Sequence, residues 1–180
     1  MNKPLHLLIT GEIGAGKTFL VQRLLKHNQR YIKGFITKWM FTEKRVKSGM
    51  YLFPAIAETY SCTSENCAAT CDRPGFNIIH PEVFEHYGVE LLSMPDTSNK
   101  SLIVMDELGF MESDSPLFCQ TVLNAFDGDT PVLAVVKKKE TLFLNEIRAH
   151  KNTELYCVTP DNRDALYRDL ICKIESWNDY

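Results

Sequence analysis

Eight consecutive residues carry the most specific chemistry in this chain. Gly11-Glu12-Ile13-Gly14-Ala15-Gly16-Lys17-Thr18 matches G-x-x-x-x-G-K-[ST] in full. Glycines let a backbone curl until successive N–H groups point at phosphate oxygens. A helix starting behind the loop adds the positive end of its dipole. Lys17 then supplies a point charge for the β- and γ-phosphates, and the Thr18 hydroxyl a hard oxygen for Mg²⁺. Such a loop binds a nucleotide, but hydrolysis also needs an acid near the metal and a group that orients water. Met105-Asp106-Glu107 offers both. Asp106 ends an apolar run, where a carboxylate reaches Mg²⁺ through a water. Glu107 follows directly, placed to orient an attacking water or take its proton. Glu112 reads either as a second acid of the site or as a cap for a helix near Ser115.

These groups meet only if the surrounding elements bring them to one edge. Leu5 to Thr10 is short and mostly apolar, which predicts a buried strand entering the loop. Phe19, Leu20, Arg23, Leu24 and His27 fall near helical spacing, so a helix is predicted over 17–26. Ile32 to Phe41 alternates as a strand does, and Glu43 to Gly49 suits a turn before a return strand at Met50 to Phe53. Residues 54–75 are the least regular, and we read a loop or small insertion there. A strand at Phe76 to Ile79 and a helix opened by His80-Pro81-Glu82 follow. Ser101 to Asp106 predicts the strand that carries the acid. Ser115-Pro116 predicts a helix with Ser as N-cap. Pro131 to Val136 predicts a strand, Glu140 to His150 a helix, and Leu155 to Val158 a last strand. Thr159-Pro160-Asp161 caps a final helix with Leu166, Leu170, Ile174 and Trp177 on its apolar face. This alternation predicts an α/β fold, a mostly parallel sheet with helices on both faces and a small hairpin or loop insertion around 42–76.

Open α/β sheets bind ligands outside the carboxyl ends of their strands. The loop after Leu155 to Val158 opens at that edge, so Asn162 and Arg163 are candidates for contact with the base, against the alternative of a well-capped helix start. Other signals are weaker. Cys62, Cys67 and Cys71 lack the spacing of a zinc site, and free thiols are expected. Trp39 is expected in core packing more than in base stacking. Lys137-Lys138-Lys139 and Arg148 are candidate activating fingers, with a solvated helix start as the alternative for the lysines.

Four segments together resemble one known family: Gly11 to Thr18; Gly34-Phe35-Ile36-Thr37; Asp106-Glu107-Leu108-Gly109-Phe110-Met111-Glu112; and Val158-Thr159-Pro160-Asp161-Asn162-Arg163-Asp164. The chain resembles the P-loop nucleoside-triphosphatases that include the thermophile enzyme and the cancer-related nucleoside-triphosphatase. The resemblance implies a RecA-like P-loop fold. It also implies Mg²⁺-dependent hydrolysis of several nucleoside triphosphates, ATP and GTP among them, to diphosphate and phosphate. Carried over by position, Gly11 to Thr18 bind the nucleotide, Thr18 and Asp106 hold the metal, and Glu107 with Lys17 are catalytic. Glu12 and Ile13 stand where the family usually has prolines or similar small residues. An acid there repels phosphates unless it points away. Lys38-Trp39 also departs from the family's acids, and the segment from Ala55 to Arg73 matches nothing in it.

The 180 residues fit one domain, 1–180, and the 44% hydrophobic and 24% charged content is that of a soluble globular chain. A net charge of −3 without a basic block argues against a nucleic-acid partner. No run is long enough for a bilayer span, and no signal peptide is read, so a reducing cytoplasm is expected. A small-molecule or nucleotide kinase on the same fold is the alternative enzyme, disfavoured because 137–151 holds only Arg148 where a kinase lid is arginine-rich. A nucleotide-dependent switch is the non-enzymatic alternative, and Asn99-Lys100-Ser101-Leu102 lacks the acid that a guanine-specific one needs.

Overall fold

Strands β1 (His6–Gly11) and β7 (Val132–Val136) are buried at every residue, as strands covered on both faces must be. The computed structural model describes residues 6–73, 76–95 and 100–178. Leu5, Pro74-Gly75 and Asn99, which figure in the expectations above, lie outside them. The sheet is built around β1 and β7 with β2 (Tyr31–Phe41), β6 (Ser101–Leu108) and β8 (Thr153–Val158). These five run parallel in the order β2-β6-β7-β1-β8. Thus β7 lies between the strand that enters the phosphate loop and the strand that carries Asp106.

Beyond β2 the sheet continues antiparallel through β3 (Lys47–Pro54), β4 (Cys67–Arg73) and β5 (Phe76–Ile79). This corrects the expected insertion. The hairpin is present, but Cys67–Arg73 is a paired strand, not irregular chain. Its sequence, CAATCDR, holds one β-branched residue. Pairing with β3 and β5 decides its conformation, as context often does for strands.

Two cores flank the sheet. On one face α1 (Lys17–Leu25) and α6 (Arg163–Trp177) bury Leu20, Leu24, Leu170, Ile174 and Trp177 against Leu7, Ile9, Val104 and Val135. On the other, α4 (Pro116–Asp127), α5 (Leu142–Ala149) and the helical stretch 81–93 pack on Leu8, Phe35, Ile103 and Met105. That stretch is α2 (Pro81–Val83), a π-turn (Phe84–Gly88) and α3 (Val89–Ser93). Gly88 sits inside it because the Phe118 ring needs the space: a Cβ there would lie 2.8 Å from a ring carbon.

The caps differ in part from expectation. Thr141 caps α5, its hydroxyl accepting the Leu144 N–H at 3.1 Å. Ser115 precedes α4, but its hydroxyl donates to the Pro81 carbonyl at 3.3 Å and ties α4 to α2 instead. At α6 the N-cap position is Asn162, and the helix starts at Arg163. Among the described residues no helix is long and apolar enough to cross a membrane.

Candidate active site

The phosphate loop bends as its glycines predict. Gly11, Gly14 and Gly16 have φ of 150°, 82° and 90°, and Gly16 is the residue from which α1 starts. The Lys17 ammonium folds back across the loop, donating to the carbonyls of Gly11 at 3.0 Å and Glu12 at 2.8 Å. The Glu12 carboxylate points outward and accepts from the Lys138 ammonium at 2.8 Å, a bond that holds its pKa below the usual value. The acid that interrupts the loop is thus turned from the phosphate cradle. Ile13 is fully exposed at the tip.

Asp106 lies across from Thr18, whose hydroxyl donates to Asp106 Oδ1 at 3.4 Å. Asp106 is 3% exposed. Burial raises its pKa to about 6 and the Glu107 charge adds to this, against Thr18, Lys17 and Lys38, which favour the carboxylate. These two side chains fit Mg²⁺: both are hard oxygen donors, and a cation would offset the cost of burying the carboxylate.

Glu107 sits where β6 loses register with β7, between Met105 and Leu108. Its φ is 83°, in the region that a residue with a Cβ rarely adopts. Strained backbone of this kind aims a side chain that straight pairing would point elsewhere. Two neighbours hold the carboxylate. The Thr37 hydroxyl donates to Glu107 Oε2 at 3.2 Å and also approaches the Asp106 carbonyl at 3.3 Å. Lys137 Nζ stands 3.5 Å from the same Oε2.

Glu112 follows on a short 3₁₀ turn, Met111–Asp114, and is 1% exposed. It accepts the Gly109 N–H at 3.0 Å, and burial pushes its pKa up to about 7. Its side chain braces the turn behind Glu107 and does not cap α4.

The structure brings Gly11 to Thr18, Asp106 and Glu107 together. Thr37 was not expected there, whereas Lys137 was one of the candidate fingers. The register explains Thr37: β2 pairs with β6 up to Ile36↔Asp106, so the next residue on β2 stands at the acid's end of β6. The lysines are not a solvated helix start. Lys137 pairs with Glu107 and Lys138 with Glu12, while α5 starts only at Leu142. Arg148 is not a finger in this structure: its guanidinium donates to the carbonyls of Lys137 and Lys139 and fastens the lysine loop.

Asn162 and Arg163 fare differently from each other. The Asn162 side chain accepts the Thr159 N–H at 2.8 Å and donates to the Cys157 carbonyl at 2.9 Å, so its polar atoms serve the loop itself. Arg163 lies beside the phosphate loop, where a Cβ on Gly16 would meet its guanidinium at 2.8 Å. The same guanidinium stands 5.1 Å from the centroid of the half-exposed Phe19 ring.

Trp39 packs against the core and lies under Lys47 Nζ, 4.2 Å from the ring centroid. Lys38 Nζ sits over the Tyr60 ring at 3.6 Å. All six cysteines are free, and among the described residues no cluster of three or more His, Cys, Asp or Glu could hold a metal ion.

Comparison with known proteins points to one family. A family model described as NTPase matches residues 6–171. The nucleoside-triphosphatase THEP1 of Thermofilum pendens is 31% identical over 176 residues, covering 95% of this chain and 96% of its own. The cancer-related nucleoside-triphosphatase homolog of Mus musculus is 27% identical, covering 95% and 97%. The crystal structure of THEP1 from the hyperthermophile Aquifex aeolicus shares the fold with a TM-score of 0.75 at 23% identity, over 95% of this chain and 99% of that one. These relatives carry the name of triphosphatases, which leaves the kinase alternative without support. A match spanning nearly the whole chain, on a sheet that joins its phosphate loop to two adjacent acids, places this protein in the NTPase family of nucleoside-triphosphatases.

Proposed function

We propose that this chain hydrolyses nucleoside triphosphates, ATP and GTP among them, to diphosphate and phosphate, and that the reaction depends on Mg²⁺. The observation that carries the reading is the 3.4 Å contact between Thr18 and the buried Asp106, with Glu107 the next residue on the strand. The loop N–H groups and Lys17 bind the β- and γ-phosphates, Lys17 leaving its carbonyl partners for the ligand. Thr18 and Asp106 would hold Mg²⁺, which would supply positive charge against the charge that develops on the phosphates. Glu107 orients a water in line with the γ-phosphorus and accepts its proton. The new P–O bond forms as the bond to the β–γ bridging oxygen breaks, and the diphosphate leaves.

Arg163 and Phe19 form the side of the site where the ribose and base project, with Asn162 holding the loop that carries Arg163. Arg163→Ala is expected to raise KM and leave kcat nearly unchanged, the mark of lost uniform binding. Six free thiols fit a reducing cytoplasm. Phosphate release from ATP and GTP, with Mg²⁺ and with a chelator, tests the activity. Lys17→Ala is expected to abolish release and weaken nucleotide binding. Wild-type release by that variant would remove the phosphate loop from the reaction.

A further inference from the structure

Lys137 follows β7, the strand between the phosphate-loop strand and the acid-bearing strand. Its N–H donates to the Leu108 carbonyl at 2.9 Å, so its backbone is pinned beside the turn that follows Glu107. Arg148 fastens the same loop from behind. From this fixed base the two successive lysines reach to opposite sides: Lys138 to Glu12 on the phosphate loop, Lys137 to Glu107. One stretch of chain thus joins the phosphate loop, through Glu12, to Glu107.

The Lys137 contact differs from the bond that Lys138 makes. At 3.5 Å it is an ion pair longer than an ordinary N–H···O bond, and both partners keep solvent access, at 24% and 29% side-chain exposure. Thr37 already bonds the same carboxylate oxygen at 3.2 Å, so Glu107 does not need Lys137 to stay in place. A flexible lysine stem can carry its charge to a nearer, more highly charged anion. A Cβ on Gly109 would lie 3.1 Å from Lys137 Cδ, so glycine leaves the stem its room.

We propose that Lys137 is an exchangeable cation that neutralises Glu107 while the site is empty and transfers to the γ-phosphate when a nucleoside triphosphate binds. The transfer frees Glu107 to take the proton of the attacking water, and it puts a second positive charge beside Lys17 on the group being transferred. A diphosphate has no γ-phosphate, so it leaves the Lys137–Glu107 pair intact. The device therefore couples activation of the base to the presence of the scissile phosphate. It rests on the triphosphatase reading of the site.

The test is calorimetric binding of a non-hydrolysable triphosphate analogue and of the diphosphate, with Mg²⁺. The proteins are wild type, Glu107→Gln, Lys137→Met and the double variant. Breaking the Lys137–Glu107 pair is part of the cost of binding only for the triphosphate. Glu107→Gln is then expected to tighten analogue binding by about two- to fivefold when Lys137 is present. It should give no such gain in Lys137→Met, and diphosphate affinity should hold across all four proteins, which also reports an intact fold. Lys137→Met should lower kcat by about 10²-fold, with partial recovery in Lys137→Arg. Equal tightening in both Lys137 backgrounds, or an equal effect on the diphosphate, overturns the proposal. If the analogue binds equally well to Lys17→Ala, the reading of the site fails instead, and the two failures are distinct.

Discussion

Glu107 and Glu112 carry the same side chain five positions apart, yet the fold gives them different environments. Glu107 keeps partial exposure beside Thr37 and Lys137, while Glu112 is buried and accepts the Gly109 N–H. Burial raises Glu112 to about 7 and Asp106 to about 6. Both carboxyls bind a proton more tightly folded than unfolded, so folding is favoured at low pH and loses that contribution as pH rises through these values. The nucleotide-free and metal-free protein is therefore expected to lose Tm between about pH 5 and about pH 8, and Glu112→Gln to flatten the slope. A wild-type Tm that climbs over that range contradicts the assignment. That Gly11 to Thr18, Asp106 and Glu107 come together was legible because each motif has a spacing and a place in the alternation of strands and helices. Thr37 and the pairing of Lys137 with Glu107 were not, since a hydroxyl on a strand and a lysine before a helix are ordinary until the strand order brings them to one carboxylate.

At the scale of elements, the site depends on how closely β2 and β6 approach. Gly34 on β2 has φ of 101°, and a Cβ there would lie 2.1 Å from the Val104 carbonyl oxygen of β6. That is backbone against backbone, with no side chain to move aside. Gly34→Ala is expected to cost at least about 1–3 kcal/mol and to lower kcat as well, because Thr37 moves from Glu107. Chemical denaturation and turnover measure the two effects, and a variant with wild-type stability would show that the strands have slack. Element type was readable where periodicity was strong, as in α1, β1, β6, β7 and α6. It failed at β4, where Cys67, Cys71 and alanines look like a loop and only the neighbouring strands make them one more rung. It also missed the extent of β6, which runs on to Leu108 and so takes the strained Glu107 into the strand.

For the whole molecule, two cores on opposite faces clamp one sheet whose carboxyl edge carries the candidate site. Phe118 ties one face together, its ring centroid 5.6 Å from that of Phe35 and 5.4 Å from that of Phe84. Phe118→Ala is expected to cost about 3–5 kcal/mol while sparing KM at temperatures where the variant stays folded. A raised KM in the folded variant would mean that this face helps shape the nucleotide site. The parallel sheet with helices on both faces was legible from alternation alone; the antiparallel extension as a continuous part of it was not, because pairing between distant segments leaves no local pattern. What the whole arrangement achieves is the meeting of α1, β6 and β7 at one edge, and Glu107, the proposed base, lies there. The most direct test is phosphate release by Glu107→Gln at saturating triphosphate and Mg²⁺, with nucleotide binding measured on the same sample. Binding retained with release reduced by about 10²–10⁴-fold is the predicted result; binding retained with release unchanged would contradict the account.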